Sequence, residues 1–294
     1  MFDGGLVIQN PERSARSSRR EGGASNVKPA AKTDDRMLGF RYELKYLVSE
    51  SKAEAIAQFI KPYLQVDRYS KLQRRGDYPI TSLYLDSDDL RLCWESLTGH
   101  KNRFKLRIRS YTDEPDYPRF FEIKRRVNAV IVKSRARVMD RDVPTLLAGL
   151  SLPPQNYSAD IETLNQFQLY MNSIKAKPKI LIRYLRRAWE GDSETRVRVT
   201  FDRQLCYCTT EEPEVRLGGR GWQENTLTMG SAILEIKFTN RYPAWLNDMI
   251  RALDLQAQPI SKYATSITQS CWLGFCAPRF ADFYNYGFLY GYCG

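Results

Sequence analysis

The residues best able to do chemistry in this 294-residue chain are Arg, Lys and Glu recurring at every second position. Lys105, Arg107 and Arg109 alternate with Phe104, Leu106 and Ile108. The same spacing recurs in Glu122, Lys124 and Arg126, and in Lys133, Arg135 and Arg137. It returns in Arg41, Glu43 and Lys45, in Arg196, Arg198, Thr200 and Asp202, and in Glu235 and Lys237. Near position 183, Tyr184 and Arg186 share one parity and Arg183 and Arg187 the other. Side chains two apart on a strand share a face, so each run predicts a strand with one charged and one apolar side. One such strand is explained by water on its charged side. Many together are not, because solvent faces mix Ser, Thr, Gln, Glu and Lys, whereas these positions are mostly Arg and Lys. Like charges on neighbouring strands repel unless an anion lies between them. Turned inward, these faces predict an α+β fold: a closed antiparallel β-barrel with a cationic tunnel and helices packed on its apolar exterior. The planar guanidinium fork donates paired hydrogen bonds and keeps its proton, which suits phosphate.

The carboxylates among these cations suggest a metal. Hard ions such as Mg²⁺ and Mn²⁺ are held by one or two carboxylates plus substrate phosphate oxygens. Glu235, mid-strand between apolar neighbours, is the first candidate ligand, with Glu43 and Glu122 behind it. Each could instead be a structural partner for an interior arginine. Several classes of chemistry are excluded. His100 is the single histidine and sits in a turn-like TGHKN, so no Ser-His or Cys-His nucleophile can be assembled. Neither a GxxxxGKS/T loop nor a GxGxxG turn is present. Phosphoryl transfer needs positioning, charge neutralisation and a metal on phosphate oxygens. An attacking phosphate oxygen, already ionised at neutral pH, needs no general base.

The elements that must position these residues follow from the same patterning. Strands are expected at about 41–49, 79–86, 103–111, 119–126, 129–138, 179–189, 195–202 and 231–238. A helix is expected at about 51–64, where Ser51 and Glu54 have capping-box spacing and Ala53, Ile56, Phe59 and Ile60 form an apolar stripe. Residues 144–175 read as mostly helical, interrupted by LPPQ, and 243–254 as a short helix. FEIKR (121–125) and LEIKF (234–238) share a Glu-Ile-Lys core, which suggests two related strands. Residues 1–36 are polar and lack large apolar side chains, so they are expected to be disordered. That tail holds seven basic and five acidic residues, leaving +9 of the net +11 charge on the body. A body so basic calls for a polyanionic partner. The folded domain is expected over 37–270, and the aromatic and Gly-rich stretch 271–294 reads as a tail, since Arg279, Asp282 and its glycines interrupt a membrane anchor. No run reaches the roughly 18–20 apolar residues of a membrane span. Six cysteines without CxxC spacing give no zinc site and point to a reducing cytoplasm.

RYELKYLVS (41–49), SLYLDSDDL (82–90), KNRFKLRIRSY (101–111), FFEIKRR (120–126), RVTFDR (198–203), ILEIKF (233–238) and SKY (261–263) occur in the order seen in VTC domains. Over residues 38–270 the chain resembles these domains, the polyphosphate polymerase domains of the vacuolar transporter chaperone complex, in the stand-alone bacterial form. They are related to the CYTH triphosphate tunnel metalloenzymes. The resemblance implies that ATP enters the tunnel and passes its γ-phosphoryl group to a growing polyphosphate chain. It implies that Arg107, Arg109, Lys124, Arg186 and Lys262 act at the reacting phosphates. Arg41, Lys45, Lys105, Lys133, Arg135, Tyr184, Arg198 and Ser261 would bind substrate along the path, and Glu235 would hold Mn²⁺ or Mg²⁺. Eukaryotic members carry a further lysine where this chain has Pro259, and their SPX domain and transmembrane module are not expected here. Two other readings stay open: a tunnel triphosphatase acting on inorganic triphosphate, nucleotide or an RNA 5′ end, and a non-catalytic polyphosphate- or nucleotide-binding module. No specific nucleic-acid partner is expected, because no RNP-like aromatic pair lies on a strand.

Overall fold

The computed structural model describes residues 41–128, 130–152, 156–191, 196–239 and 242–272. The expectations for the tails 1–36 and 271–294 fall outside these residues, apart from positions 271 and 272. In chain order the elements are β1 (Arg41–Ser49), α1 (Glu50–Ile60), β2 (Gln65–Val66), α2 (Arg68–Lys71), β3 (Tyr78–Asp86) and α3 (Arg91–Leu97). Then come β4 (Arg103–Ser110), β5 (Arg119–Val127), β6 (Val130–Val138), α4 (Val143–Leu147) and α5 (Ile161–Ser173). The second half adds β7 (Lys177–Glu190), β8 (Arg198–Thr209), β9 (Gln223–Glu224), β10 (Ser231–Thr239), α6 (Ala244–Ala252) and α7 (Lys262–Trp272).

The strands form one antiparallel sheet in the order β1-β10-β8-β7-β3-β4-β5-β6, with β2 beside β7 and β9 beside β8. The sheet curls as predicted, with one refinement. Among the described residues, β1 and β6 are its ends and do not pair. Side chains span this seam instead: Lys124 of β5 reaches Glu43 of β1 at 3.2 Å. The edge of β1 is further covered by the segment before α7, where Gln258 donates its backbone N–H to the Lys45 carbonyl at 2.8 Å. An unpaired strand edge would otherwise be open to pairing with another chain.

The convex face carries the apolar positions. Leu83, Leu106, Ile108, Phe121 and Ile123 pack against Leu146 of α4 and Leu164, Phe167 and Met171 of α5. Tyr46, Val199, Phe201, Leu234 and Ile236 pack against Ile56 and Ile60 of α1 and Leu246 and Met249 of α6. The α1 cap is Ser49, whose hydroxyl accepts from Lys52 N at 3.3 Å, two residues before the predicted Ser51. Helix α7 is the exception to the exterior placement of helices. Tyr263, Ala264 and Ile267 pack on Tyr84, Ile180, Ile182 and Ile233 of the concave face, where the sheet itself supplies an apolar patch. Asp86 anchors this plug: it accepts from the Tyr263 hydroxyl at 2.6 Å and from the Leu92 and Cys93 amides of α3. β8 runs seven residues past its predicted end, through an irregularity where Gln204 adopts φ +49° and the register with β7 shifts.

Phe167 of α5 meets Phe121 of β5 edge to face at 4.9 Å, with both rings fully buried. Phe167→Ala should cost about 3–5 kcal/mol in denaturant melts, whereas Leu169→Ala on the exposed face of the same helix should stay within about 0.5 kcal/mol. Equal losses at the two positions would contradict this packing.

Candidate functional site: a cationic concave face

Pairing register places the predicted charged residues on one face. Tyr84 lies opposite Arg107 and Ser82 opposite Arg109 across β3 and β4. Lys105, Arg107 and Arg109 face Lys124, Glu122 and Phe120 of β5, and Lys133 and Arg135 of β6 continue the row. In the other half, Arg186 faces Asp202, Thr200 faces Glu235, and Glu235 faces Lys45. Ten cations (Lys45, Lys105, Arg107, Arg109, Lys124, Lys133, Arg135, Arg186, Lys237, Lys262) thus share a concavity with four carboxylates (Glu43, Glu122, Asp202, Glu235).

Each carboxylate gathers several of them. Glu122, buried, lies 2.6 Å from Arg107, 3.0 Å from Lys133, 3.5 Å from Arg135 and 3.9 Å from Arg109. Burial would raise its pKa, yet the guanidinium groups of Arg107 and Arg109 hold it far below the carboxylate range. Asp202 is fully buried and takes both prongs of the Arg186 fork, at 2.6 and 2.7 Å, while Lys262 of α7 approaches at 2.6 Å. Burial alone would lower Lys262; Asp202 beside it holds it above its usual value. Glu43 sits 3.0 Å from Lys45 and 3.2 Å from Lys124. Burial and Glu235 push its pKa up, but the surrounding lysines prevail and bring it to about 2. Glu235 is paired with Lys237, and it too is held well below the usual range, against burial, by Lys237 and Lys45.

The remaining predicted residues are also placed. Tyr184 presents its ring to Lys262 Nζ at 4.9 Å and Arg186 Cζ at 5.3 Å. Ser261, just before α7, accepts from Lys105 Nζ at 2.9 Å and from the Ala264 amide at 3.2 Å. Arg198 is engaged at the mouth by Asp67 and Glu190, both at 2.7 Å, apart from the Glu122 group. Arg41 begins β1 opposite Thr239, and its side chain lies outside the described residues. Sequence reasoning noted Asp202 on the charged face but gave it no role. It also missed Tyr84, whose hydroxyl accepts from Arg107 Nη1 at 3.1 Å. The parity of Asp202 with Arg198 and Thr200 was the available signal; which cations meet it depends on β7 and α7. Among the described residues, no group of three or more His, Cys, Asp or Glu converges as a metal cage. No helix among them is long and apolar enough to cross a membrane.

A curled antiparallel sheet whose concave face sets ten cations against four carboxylates carries a net positive charge, a surface suited to an anion. The chain belongs to the VTC domain family, whose model matches residues 40–271. It is 23% identical over 268 residues to the vacuolar transporter chaperone complex subunit 4 of Schizosaccharomyces pombe; the match covers 78% of this chain and 37% of that protein. Two solved structures align at a coarser level. A candidate adenylate cyclase from Bacillus halodurans has 14% identity and a TM-score of 0.42 over 76% of this chain and 93% of its own. A Pyrococcus horikoshii protein has 10% identity and a TM-score of 0.40 over 79% of this chain and 99% of its own.

Lys105 is the one cation of the ten with no carboxylate partner among the described residues. Burial, then repulsion from Lys45 and Lys124, lowers its pKa from 10.5 to about 7. Between those values the unfolded chain binds more protons than the folded one, so this group's contribution makes stability rise with pH across that window. Lys105→Met should therefore raise the melting temperature most at pH 6, by a few degrees (about 2–4 °C). The gain should shrink as pH rises toward 10. A gain that is the same at every pH would remove Lys105 as its source.

Proposed function

We propose that this protein is a polyphosphate polymerase that transfers the γ-phosphoryl group of ATP to the end of a polyphosphate chain lying along the concave face. The observation that carries this reading is the row of cations that one face gathers, from Lys45, Lys105 and Lys124 through Arg107, Arg109 and Lys133 to Arg186 and Lys262, with Glu43, Glu122 and Asp202 set among them. Such a row is longer than one phosphate needs and suits a linear polyanion. Membership of the VTC family and similarity to a vacuolar transporter chaperone subunit support the same reading.

In this reading Arg107, Arg109 and Lys133 grip one part of the phosphate chain and Arg186 and Lys262 another, each already oriented by Glu122 or Asp202. Fixed donors of this kind neutralise developing charge without reorganising during reaction. The attacking oxygen belongs to a phosphate and arrives ionised, so no side chain is needed to remove a proton. Glu235, with Glu43 diagonal to it across β10 and β1, offers the one or two hard carboxylates that Mg²⁺ or Mn²⁺ takes when phosphate oxygens complete its shell. A bound ion would supply further neutralisation of charge on the bridging oxygens. Hydrolysis would require a carboxylate free to orient water. Glu122 is held by four cations, and a Glu43 drawn to the ion would not be free for water, which favours transfer to phosphate over transfer to water.

Purified protein incubated with ATP and Mn²⁺ should form long anionic polymer on a gel. Free phosphate without polymer would establish the triphosphatase instead, and unchanged ATP would leave only a binding module. Arg107→Ala should lower turnover by about 10²–10³-fold with the circular dichroism spectrum unchanged; aggregation would make Arg107 structural. Glu235→Gln should lower activity and raise the Mn²⁺ concentration needed for half-maximal rate by at least about tenfold. Full activity at the same metal requirement would remove Glu235 as the ligand.

A further inference from the structure

The mouth of the concave face, at the Tyr78 end of β3, is chemically unlike the rest. Tyr111, the residue after β4 ends, follows Arg109 by two positions and lies beyond it at the same end of the sheet. Phe120 sits opposite Arg109 on β5. Their rings meet edge to face at 5.7 Å. Tyr69 of α2 lies parallel to Tyr111 within 3°, with centroids 6.5 Å apart. Arg135 joins these rings to the tunnel: its guanidinium lies 3.7 Å over Phe120 and donates to the Tyr111 hydroxyl at 3.2 Å, while its Nε faces Glu122 at 3.5 Å.

We propose that Tyr69, Tyr111 and Phe120, with Arg135, form a stacking platform for the nucleobase of the nucleotide whose phosphates occupy the cationic row. All three rings are half-buried; Tyr69 and Tyr111 pack on the edge of the apolar cluster beneath α7 and are not in its interior. A polyphosphate chain has no π surface and gains nothing from them, whereas every base has one, and base–aromatic stacking tolerates sequence while adding a guanidinium contact. The platform lies just beyond Arg109 on the β4 side of the concave face, and Arg186, opposite Tyr78 on β3, keeps an interior cation at the same end, so a nucleotide with its phosphates on these cations would carry its base onto the rings. Tyr111 is also electrostatically tied to the row. Burial would raise its pKa, but Arg109 and Arg135 draw it below the usual value.

The inference rests on the phosphate-binding reading of the concave face, and one titration series separates the two. Full-length protein is titrated calorimetrically with the imido analogue of ATP and with inorganic triphosphate. Wild type should bind the nucleotide about tenfold more tightly than triphosphate, the lower part of the range for one stacked base. Tyr111→Ala should erase that preference and leave triphosphate affinity unchanged, and Tyr111→Phe, which keeps the ring, should retain it. Equal affinity for the two ligands in wild type would overturn the platform while sparing the tunnel, as would an equal loss of both in Tyr111→Ala. If neither ligand binds wild type, the phosphate reading fails and the platform with it.

Discussion

Crowding of like charge on one side of a curled sheet is the constraint on which the rest of this molecule depends. Lys105, Arg107, Arg109, Lys124, Lys133 and Arg135 sit on three adjacent strands, close enough that their repulsion would splay the sheet. Glu122 answers that repulsion by standing at the centre of the group, and Asp202 does the same for Arg186 and Lys262. Neither carboxylate can be removed without leaving buried cations unmatched, a loss larger than the value of any single pair. These carboxylates also orient the cations, so the groups that hold the fold together prepare the surface for an anion.

The convex side bears the favourable part of this arrangement. Two apolar clusters, one under α4 and α5 and one under α1 and α6, bury the alternate positions of the same strands. Burial of apolar area is the dominant favourable contribution to folding, and here it offsets the desolvation of the charged face. The division follows strand geometry: each residue is committed to one side by its parity.

Helix α7 breaks the symmetry of that division. Its apolar residues close one part of the concavity over Tyr84, Ile180 and Ile233, and its first residue, Lys262, is delivered to Asp202. Ser261 meets Lys105 from across the cavity. A segment more than 150 residues distant from β4 in sequence thereby completes the cationic row, and Asp86 holds it there through Tyr263.

Much of this was legible in the chain itself. RFKLRIRS, FFEIKRR and ILEIKF declare strand and facing through a period of two that needs no knowledge of neighbours, and they announce a cationic interior through the type of residue repeated. The family resemblance rested on those same segments. Less legible were β8 beyond Asp202, where a residue at positive φ breaks the alternation, α3, a seven-residue helix whose amides Asp86 holds, and α7, an eleven-residue helix whose place inside the curl is set by packing. Glu122 could be read as metal ligand or structural partner, because alternation places a side chain on a face without saying how many cations converge on it. The sequence by itself determined which residues face inward and what charge they carry, since side-chain parity is a local property. Only the tertiary structure decided which cations share Glu122 and Asp202, that α7 lies inside the curl, and that Tyr69, Tyr111 and Phe120 meet at its mouth. Those outcomes depend on register and packing between distant segments, which no local period encodes.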